Sequence, residues 1–364
     1  DMGADVVKIE NEAGDIMRRA GAAPAKLMGP IFMQLNRNKR SIVLDLKSDF
    51  GKEALTRALK EADVFFSNVR LEGLARLGFD YEAVKEINPS IVMVHVAGFG
   101  AGGEYAGRQA YDDLVQAASG VADLIARRDG GDPSYFPSLV ADKATGLYAV
   151  SAILAGLFHK SQTGKGQFVS VPMLEAFTSF NMVENLYGHT FNPPTGKTVY
   201  TRSANPNRKP YKTKDGFISI VPYSDDQWSL FFELGGRPGV MDEDPRFATY
   251  EERTKNIGQL YGIIHEVTAS KTTDEWLEIC HKAHIPAMRF NKMEEVENDP
   301  HLKGSGFFQY REHRDVGEYL SMKCPIEFSE TPADIRQDPP RLGEHTEEVL
   351  KELGFSDSEI KQAD

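Results

Sequence analysis

The segment from residue 139 to residue 167 constrains the fold more than any other part of the chain. It begins with Leu139–Gly146 and continues from Leu147 to Phe158 with almost no polar residue. A helix that is apolar on nearly every face is typical of a protein interior. The segment therefore predicts a buried helix that begins at Asp142 and ends before the turn Thr163–Gln167.

Asp142 is the candidate catalytic residue, because the N-terminus of a helix offers unpaired N–H groups and the positive end of the helix dipole. We expect this environment to favour the ionised carboxylate, which is the form that can act as a nucleophile. The alternative is that Asp142 only caps the helix, a common role for Asp. Its position in the sequence alone favours the cap, because most buried caps are structural.

Composition excludes several classes of partner. The chain has 364 residues, of which 41% are hydrophobic, enough for more than one core. Its formal net charge of −12 argues against general affinity for nucleic acid. No uninterrupted apolar run reaches the ~18 residues of a membrane span. Cys280 and Cys324 form neither a disulfide framework nor a metal-ligand spacing, so we expect no metal and a reducing, cytoplasmic location.

Short apolar strands alternate with helical stretches in the first half of the chain, which predicts an α/β fold with a parallel sheet of Rossmann type. The predicted strands are Val6–Glu10, Ser41–Leu44, Val64–Ser67, Ile91–Val96 and Phe168–Val171. The predicted helices around them are Phe50–Glu61, Tyr81–Ile87 and Leu174–Tyr187.

The composition changes near residue 190, where Asn, Pro and Gly become frequent, as is typical of a linker. A turn at Tyr211–Gly216 then predicts a hairpin leading into the strand Phe217–Pro222. We therefore predict four parts, namely a large α/β domain over 1–190, a linker over 191–204, a smaller α+β domain over 205–305 and a return segment over 306–364 that completes the large domain.

Five ordered stretches resemble the motifs of the family III CoA-transferases of CaiB/BaiF type, which include formyl-CoA, carnitine and bile-acid CoA-transferases. They are Gly3–Glu10, Asn36–Lys47, Tyr111–Gly120, Asp142–Gln167 and Leu342–Leu350. The resemblance implies a Rossmann-like, CoA-binding large domain and an interlocked, ring-like homodimer. In that family a strand–helix unit of about 25–30 residues precedes the first motif, so we expect this unit to be missing before Asp1.

Coenzyme A carries phosphates, so an acidic chain needs a local basic site for it. Two clusters are candidates: Arg37, Lys39, Arg40 and Lys47, and then Arg70 with Arg76. The resemblance implies CoA contacts for Leu44, Lys47, Asn68, Val69, Arg70 and Arg76, and for a second region that contains Arg108 and Tyr111. The alternative for each basic residue is a solvated surface charge.

The resemblance further implies an acyl-CoA:carboxylate CoA-transferase that works through an anhydride and a CoA thioester of Asp142, with acyl-CoA and a carboxylic acid as substrates. One alternative is a 2-methylacyl-CoA racemase-type isomerase. Relatives of that class have His where this chain has Tyr111, and a phenol with a pKa of about 10 is poorly suited to moving an alpha proton. The other alternative is a non-catalytic CoA-binding homologue.

One stretch departs from formyl-CoA transferase, which has a run of glycines that folds over its active site. The equivalent stretch here, Thr201–Pro210, contains no glycine. Formyl-CoA and oxalate are therefore not supported as substrates. Arg202 and Arg208 in this stretch are candidates to meet the acidic tail of another substrate, with a solvated linker as the alternative.

Overall fold

A computed structural model describes residues 1–363 as a mixture of helices and short strands. The strands are β1 Val6–Glu10, β2 Lys39–Val43, β3 Val64–Ser67, β4 Val92–Ala97, β5 Gln167–Pro172, β6 Tyr211–Lys212, β7 Phe217–Ile220, β8 Ala287–Arg289, β9 Phe308–His313 and β10 Gly317–Met322. The helices are α1 Pro30–Leu35, α2 Asp49–Glu61, α3 Leu71–Leu77, α4 Tyr81–Ile87, α5 Asp112–Ala118, α6 Val121–Asp129, α7 Val140–Thr163, α8 Met173–Asn185, α9 Asp225–Leu234, α10 Tyr250–Lys255, α11 Ile257–Thr268, α12 Thr273–Lys282, α13 Pro300–Gly304, α14 Thr346–Glu352 and α15 Asp357–Ala363.

The predicted alternation of strands and helices is confirmed, but the strands do not form the single sheet that we expected. β1 and β2 make a parallel pair of their own, and β3, β4 and β5 form a separate sheet. The far edge of β2 is occupied by the C-terminal segment. The Ser41 N–H donates to His345 Nδ1 at 3.2 Å, and the Val43 N–H donates to Thr346 Oγ1 at 3.0 Å. Because these side chains take its N–H groups, β2 has no edge left for another strand.

The chain divides into two compact units, each built from separate stretches of sequence. The first unit contains residues 1–94 and 155–169 together with the chain from Lys292 onwards. The second contains residues 95–154 and 170–291. The boundaries predicted from composition, near residues 190, 205 and 305, differ from this division and stay a prediction.

A buried ion pair lies in the first unit. Arg18 Nη2 and Glu10 Oε1 are 2.6 Å apart, and both side chains are almost fully buried, at 0% and 2% exposed. Burial alone would raise the pKa of the Glu10 carboxyl. Hydrogen bonds from the Arg18 guanidinium, the Asp15 N–H and the Ser41 hydroxyl outweigh that effect, so this pKa lies below its ordinary value. Glu10 is therefore held ionised inside the protein.

The second unit contains a continuous apolar core over residues 211–285, which includes both tryptophans. The predicted hairpin at its start is confirmed, because Tyr211 on β6 pairs with Ile218 on β7 in an antiparallel register. Trp276 lies at the centre of this core, and its indole N–H donates to the Thr268 carbonyl at 2.8 Å. A smaller cluster of the same unit joins α5, α7 and α8.

The prediction that the apolar helix is buried is wrong for the single chain. On α7, small residues such as Ala141 and Ala144 pack against α5 and α8, whereas Leu147 and Phe158 are 70% and 69% exposed. Gly156 also permits a close approach, because a Cβ there would lie 2.5 Å from Val92 Cγ1. The chain thus covers only the small-residue side of α7. With 24 residues, α7 also has the length and composition of a membrane span. Only 28% of its most apolar stretch is buried, whereas a core helix of the same composition would be mostly buried.

Candidate active site

The N-terminus of α7 is held by a carboxylate from another helix. Asp112, the first residue of α5, is buried, and its Oδ2 accepts hydrogen bonds from the N–H groups of Ala141 at 2.9 Å and Asp142 at 3.0 Å. The Gln116 side chain donates to the other oxygen of Asp112 and fixes its orientation. Asp142 is the third residue of the helix, so the alternative that it serves only as the cap is wrong. Asp112 performs that role.

The Asp142 carboxyl itself has no hydrogen-bond or ion-pair partner among residues 1–363 and is exposed in the single chain. Its pKa is raised above the ordinary value, first by desolvation from the atoms packed around it and then by the negative charges of Asp112 and Asp113. The expectation that this helix end favours the ionised form is therefore wrong. Asp112 has already taken the N–H groups that would stabilise a charge on Asp142, and it adds repulsion.

Tyr111 immediately precedes Asp112 and occupies the position before the first turn of α5, with its side chain exposed. Arg108 lies three residues earlier. Its Nη2 is 3.4 Å from Glu104 Oε1, and its guanidinium carbon lies 4.6 Å from the centre of the Tyr105 ring. Within the second unit, the structure thus places Tyr111 and Asp142 next to the same capping residue, whereas Arg108 contacts its own loop.

Glu175 on α8 anchors the loop between β4 and α5. This role was not identified from the sequence. The Gly100 N–H donates to Glu175 Oε1 at 2.9 Å, and a Cβ at position 100 would come within 2.4 Å of the same oxygen. A side chain at position 100 would therefore push the Glu175 carboxylate away from the Gly100 N–H. The cluster of glycines after β4 was visible in the sequence, but nothing near it indicated Glu175 as its partner.

The predicted CoA-contacting residues of the first unit follow two strands. Leu44 comes directly after β2 and is buried, whereas Lys47 is exposed in the turn before α2. The other members follow β3 and are exposed: Asn68, Val69, Arg70 and Arg76. Ligands of open α/β sheets bind outside the carboxyl ends of strands, which is where these residues lie.

Ion pairing separates the basic residues of the first unit into two groups. Arg37 pairs with Asp1 at 2.6 Å, and Arg40 pairs with Asp5 at 2.8 Å and with Glu352 at 2.7 Å. Those arginines are occupied by carboxylates, and the Lys39 ammonium donates to Asn36 at 3.2 Å. The remaining candidates make no ion pair within the described part of the chain: Lys47, Arg70 and Arg76. Among these candidates, Lys47, Arg70 and Arg76 are also exposed, so they are free to meet a phosphate.

Residues 1–363 contain no group of three or more His, Cys, Asp or Glu side chains placed to hold a metal ion.

Comparisons with known proteins agree with one another. The model of CoA-transferase family III matches residues 1–346. Succinate–glutarate CoA-transferase of Agrobacterium fabrum is 34% identical over 97% of this chain and 90% of its own length. Formyl-CoA:oxalate CoA-transferase of Afipia carboxidovorans is 31% identical over 98% of this chain and 89% of its own length. The crystal structure of a CaiB/BaiF family protein from Brucella suis aligns with this chain at a TM-score of 0.78 and 30% sequence identity. The alignment covers 97% of this chain and 93% of the Brucella chain. The chain therefore belongs to CoA-transferase family III and is an enzyme of that family.

Proposed function

We propose that this enzyme moves coenzyme A from an acyl-CoA to a free carboxylic acid through three covalent intermediates on Asp142, namely two mixed anhydrides and a CoA thioester formed between them. The Asp142 carboxylate attacks the thioester carbonyl, which gives a mixed anhydride and releases the CoA thiolate. The thiolate then attacks the aspartyl carbonyl, which gives an aspartyl-CoA thioester and releases the first acid. The acceptor carboxylate attacks that thioester, and the thiolate released completes the transfer by attacking the acceptor carbonyl of the new anhydride.

The observation that carries this proposal is the free carboxyl of Asp142 beside two other carboxylates. Its charge is unfavourable there, because the surrounding atoms desolvate it and because Asp112 and Asp113 repel it. Acylation removes that charge, so the site favours the covalent states over the free carboxylate. Meanwhile Asp112 keeps the backbone of Asp142 in place through the hydrogen bond to its N–H. The nucleophile is thus positioned without its own oxygens being used.

For the substrates, we propose a short-chain dicarboxylic acid as acceptor. The Agrobacterium relative is named for succinate and glutarate. The chain also lacks a glycine run in Thr201–Pro210, which argues against the formyl-CoA and oxalate pair. The acyl-CoA donor is proposed to belong to the same size class, because a reversible transferase passes both acids through one site.

A screen tests the reaction and its alternatives together. Acyl-CoA donors are mixed with single acids, including succinate, glutarate, oxalate and formate, in deuterated water, and new CoA esters are read by mass spectrometry. We expect new esters that carry no alpha-deuterium. Alpha-deuterium without a new ester would instead support the racemase-type isomerase. CoA binding without either product would support the non-catalytic alternative.

The free cations of the first unit lead to a prediction about CoA binding. Lys47→Ala and Arg76→Ala should each weaken CoA binding about ten- to a hundredfold, because each loses a charge-assisted phosphate contact. Isothermal titration calorimetry at two salt concentrations measures the effect, which should be larger at low salt. Lys26→Ala, at an exposed position outside the cluster, serves as the control. Unchanged dissociation constants for both variants would place the phosphates elsewhere.

The pH dependence of transfer should show the effect of Asp112, the carboxylate that caps α7, on the pKa of Asp142. Because Asp142 has a raised pKa, activity should fall as the pH drops through that value and the nucleophile becomes protonated. Asp112→Asn removes one repelling charge but keeps an oxygen that can accept from the α7 N–H groups. The acid limb of the kcat/KM profile should therefore move to lower pH. A limb that stays in place, or moves to higher pH, would contradict this reading of the site.

We propose a homodimer because α7 leaves large apolar side chains uncovered in the single chain. A second copy that covers them would remove Leu147, Leu154 and Phe158 from water. Leu154→Glu should therefore reduce the dimer seen by light scattering, whereas Met293→Glu, at an exposed position away from α7, should not. A wild-type protein that is monomeric and binds phospholipid vesicles would contradict the dimer and favour a membrane role for α7.

A further inference from the structure

The second unit contains a small cavity that the proposed transfer mechanism does not use. Its volume is ≈ 70 Å³, and its lining includes two arginines and three aromatic residues: Arg202, Arg253, Tyr223, Trp228 and Tyr250. Arg202 comes from the stretch before β6, Trp228 from α9, and Tyr250 and Arg253 from α10. The cavity therefore lies among elements of one compact unit.

Arg253 is a buried guanidinium with donors to spare. One of its terminal nitrogens, Nη2, donates to the Asp225 carboxylate, and its other N–H groups have no acceptor within the described residues. A guanidinium has five N–H donors in a rigid plane. None of the remaining Arg253 nitrogens is among the fully buried, unpaired atoms of the described residues, so they stay accessible to a small ligand. An acceptor inside the cavity would satisfy donors that the protein itself leaves open.

Arg202 adds a second positive charge that no carboxylate balances. Its Nε donates to the Tyr261 hydroxyl at 3.3 Å, and it makes no ion pair in the described chain. The cavity thus carries two guanidinium groups, of which only Arg253 has an acidic partner. An anion placed in the cavity would be attracted by both guanidinium groups.

The shape and chemistry of the lining select among anions. The volume of ≈ 70 Å³ suits a group of a few heavy atoms such as a carboxylate. Planar guanidinium groups match the two oxygens of a carboxylate. The aromatic rings provide apolar surface for an aliphatic stem, which inorganic phosphate lacks. We infer that this cavity binds the carboxylate group of a small aliphatic acid.

Direct binding tests the inference without relying on turnover. Succinate is titrated by calorimetry into wild-type protein, Arg202→Ala, Arg202→Lys and the control Arg208→Ala. Arg208 was the other candidate in this stretch to meet an acidic substrate tail, but it is exposed, does not line the cavity and donates to the Ser203 hydroxyl at 2.8 Å. We expect Arg202→Ala to weaken succinate binding about tenfold or more, Arg202→Lys to weaken it less, and Arg208→Ala to leave it unchanged. Succinamide, which has no charge, should not bind.

Repeating the titration in an Asp142→Ala background separates this site from the proposed nucleophile. The Arg202-dependent binding should survive there even if the proposed transfer mechanism fails. If Arg202→Ala also raises the KM for succinate in transfer, the bound acid is the acceptor substrate. If transfer is unchanged, the acid is a separate ligand of the cavity.

Three results would overturn the inference. They are no detectable succinate binding to wild type, equal dissociation constants for wild type and Arg202→Ala, and tighter Arg202-dependent binding of inorganic phosphate than of succinate. Thermal unfolding of each variant shows whether it is folded. Should Arg202→Ala fail to fold, Arg202→Gln, which keeps a long polar side chain, takes its place in the same comparison.

Discussion

Replacing Asp142 with alanine is expected to abolish CoA transfer, lowering kcat by at least about a hundredfold, because every covalent intermediate of the proposed cycle forms on that carboxylate. CoA binding should remain within a few-fold, since the cations proposed to meet its phosphates lie in other segments. Asp142→Asn should be equally inactive, because an amide keeps the shape of the side chain but is not a nucleophile. The N-terminus of α7 should persist in both variants, as it is held by Asp112.

Steady-state transfer and mass spectrometry of quenched turnover measure the effect. The wild-type peptide that contains Asp142 should carry a CoA adduct, and neither variant should. Lys143→Ala is a matched control on the same turn, because Lys143 donates to the Ser138 hydroxyl at 2.8 Å and points to no reacting group that we propose. Retention of more than about a hundredth of wild-type kcat by Asp142→Ala would exclude this residue as the covalent nucleophile.

Arg18→Met should destabilise the protein by about 3–5 kcal/mol, the usual cost of removing one partner from a buried ion pair. The variant keeps a long apolar side chain against the Phe32 ring, which lies 3.8 Å from the Arg18 guanidinium carbon. What it loses is the positive charge beside Glu10, together with the hydrogen bond to the Pro340 carbonyl at 3.0 Å. The Glu10 carboxylate is then buried without its cation.

Urea unfolding of wild type and Arg18→Met measures this effect, with Arg19→Met at the exposed neighbouring position as the control. The pKa of Glu10 is lowered from an ordinary value of 4.5, so its stabilisation is complete above pH 4.5 and is lost as the pH falls through the folded-state value. The difference between wild type and Arg18→Met should therefore shrink in acid. A loss below about 1 kcal/mol at pH 7 would show that Glu10 reaches solvent in the variant.

Local patterns in the sequence predicted local structure well. The bounds of α4 were predicted correctly. Its start depends on residues close in sequence, because the Asp80 carboxylate accepts a hydrogen bond from the Ala83 N–H at 3.0 Å. The strand Val64–Ser67 was likewise correct, since a short apolar run suffices to indicate it. The family and the class of enzyme also followed from the sequence, because five ordered motifs resemble those of known members.

Long-range pairing accounts for what could not be predicted. Arg40 was a candidate for phosphate binding, but it pairs with Glu348, 308 positions away in the chain. Asp112 caps a helix 29 residues further on, a contact that no spacing rule indicates. The apolar composition of α7 predicted a buried helix, but the single chain leaves Leu147 and Phe158 exposed, and composition does not show what would cover them.

The contact between β2 and the C-terminal segment has a consequence for the order in which the protein is made. Ser41 and His345, which share that contact, are 304 residues apart, and all of residues 95–291 leave the ribosome between them. The second unit can therefore fold while the first unit still lacks the C-terminal segment that covers the edge of β2. Until that segment emerges, β2 exposes unpaired backbone that could join to another nascent chain. A folding assistant that protects β2 during synthesis would matter more for this protein than for one whose early strands pair with near neighbours.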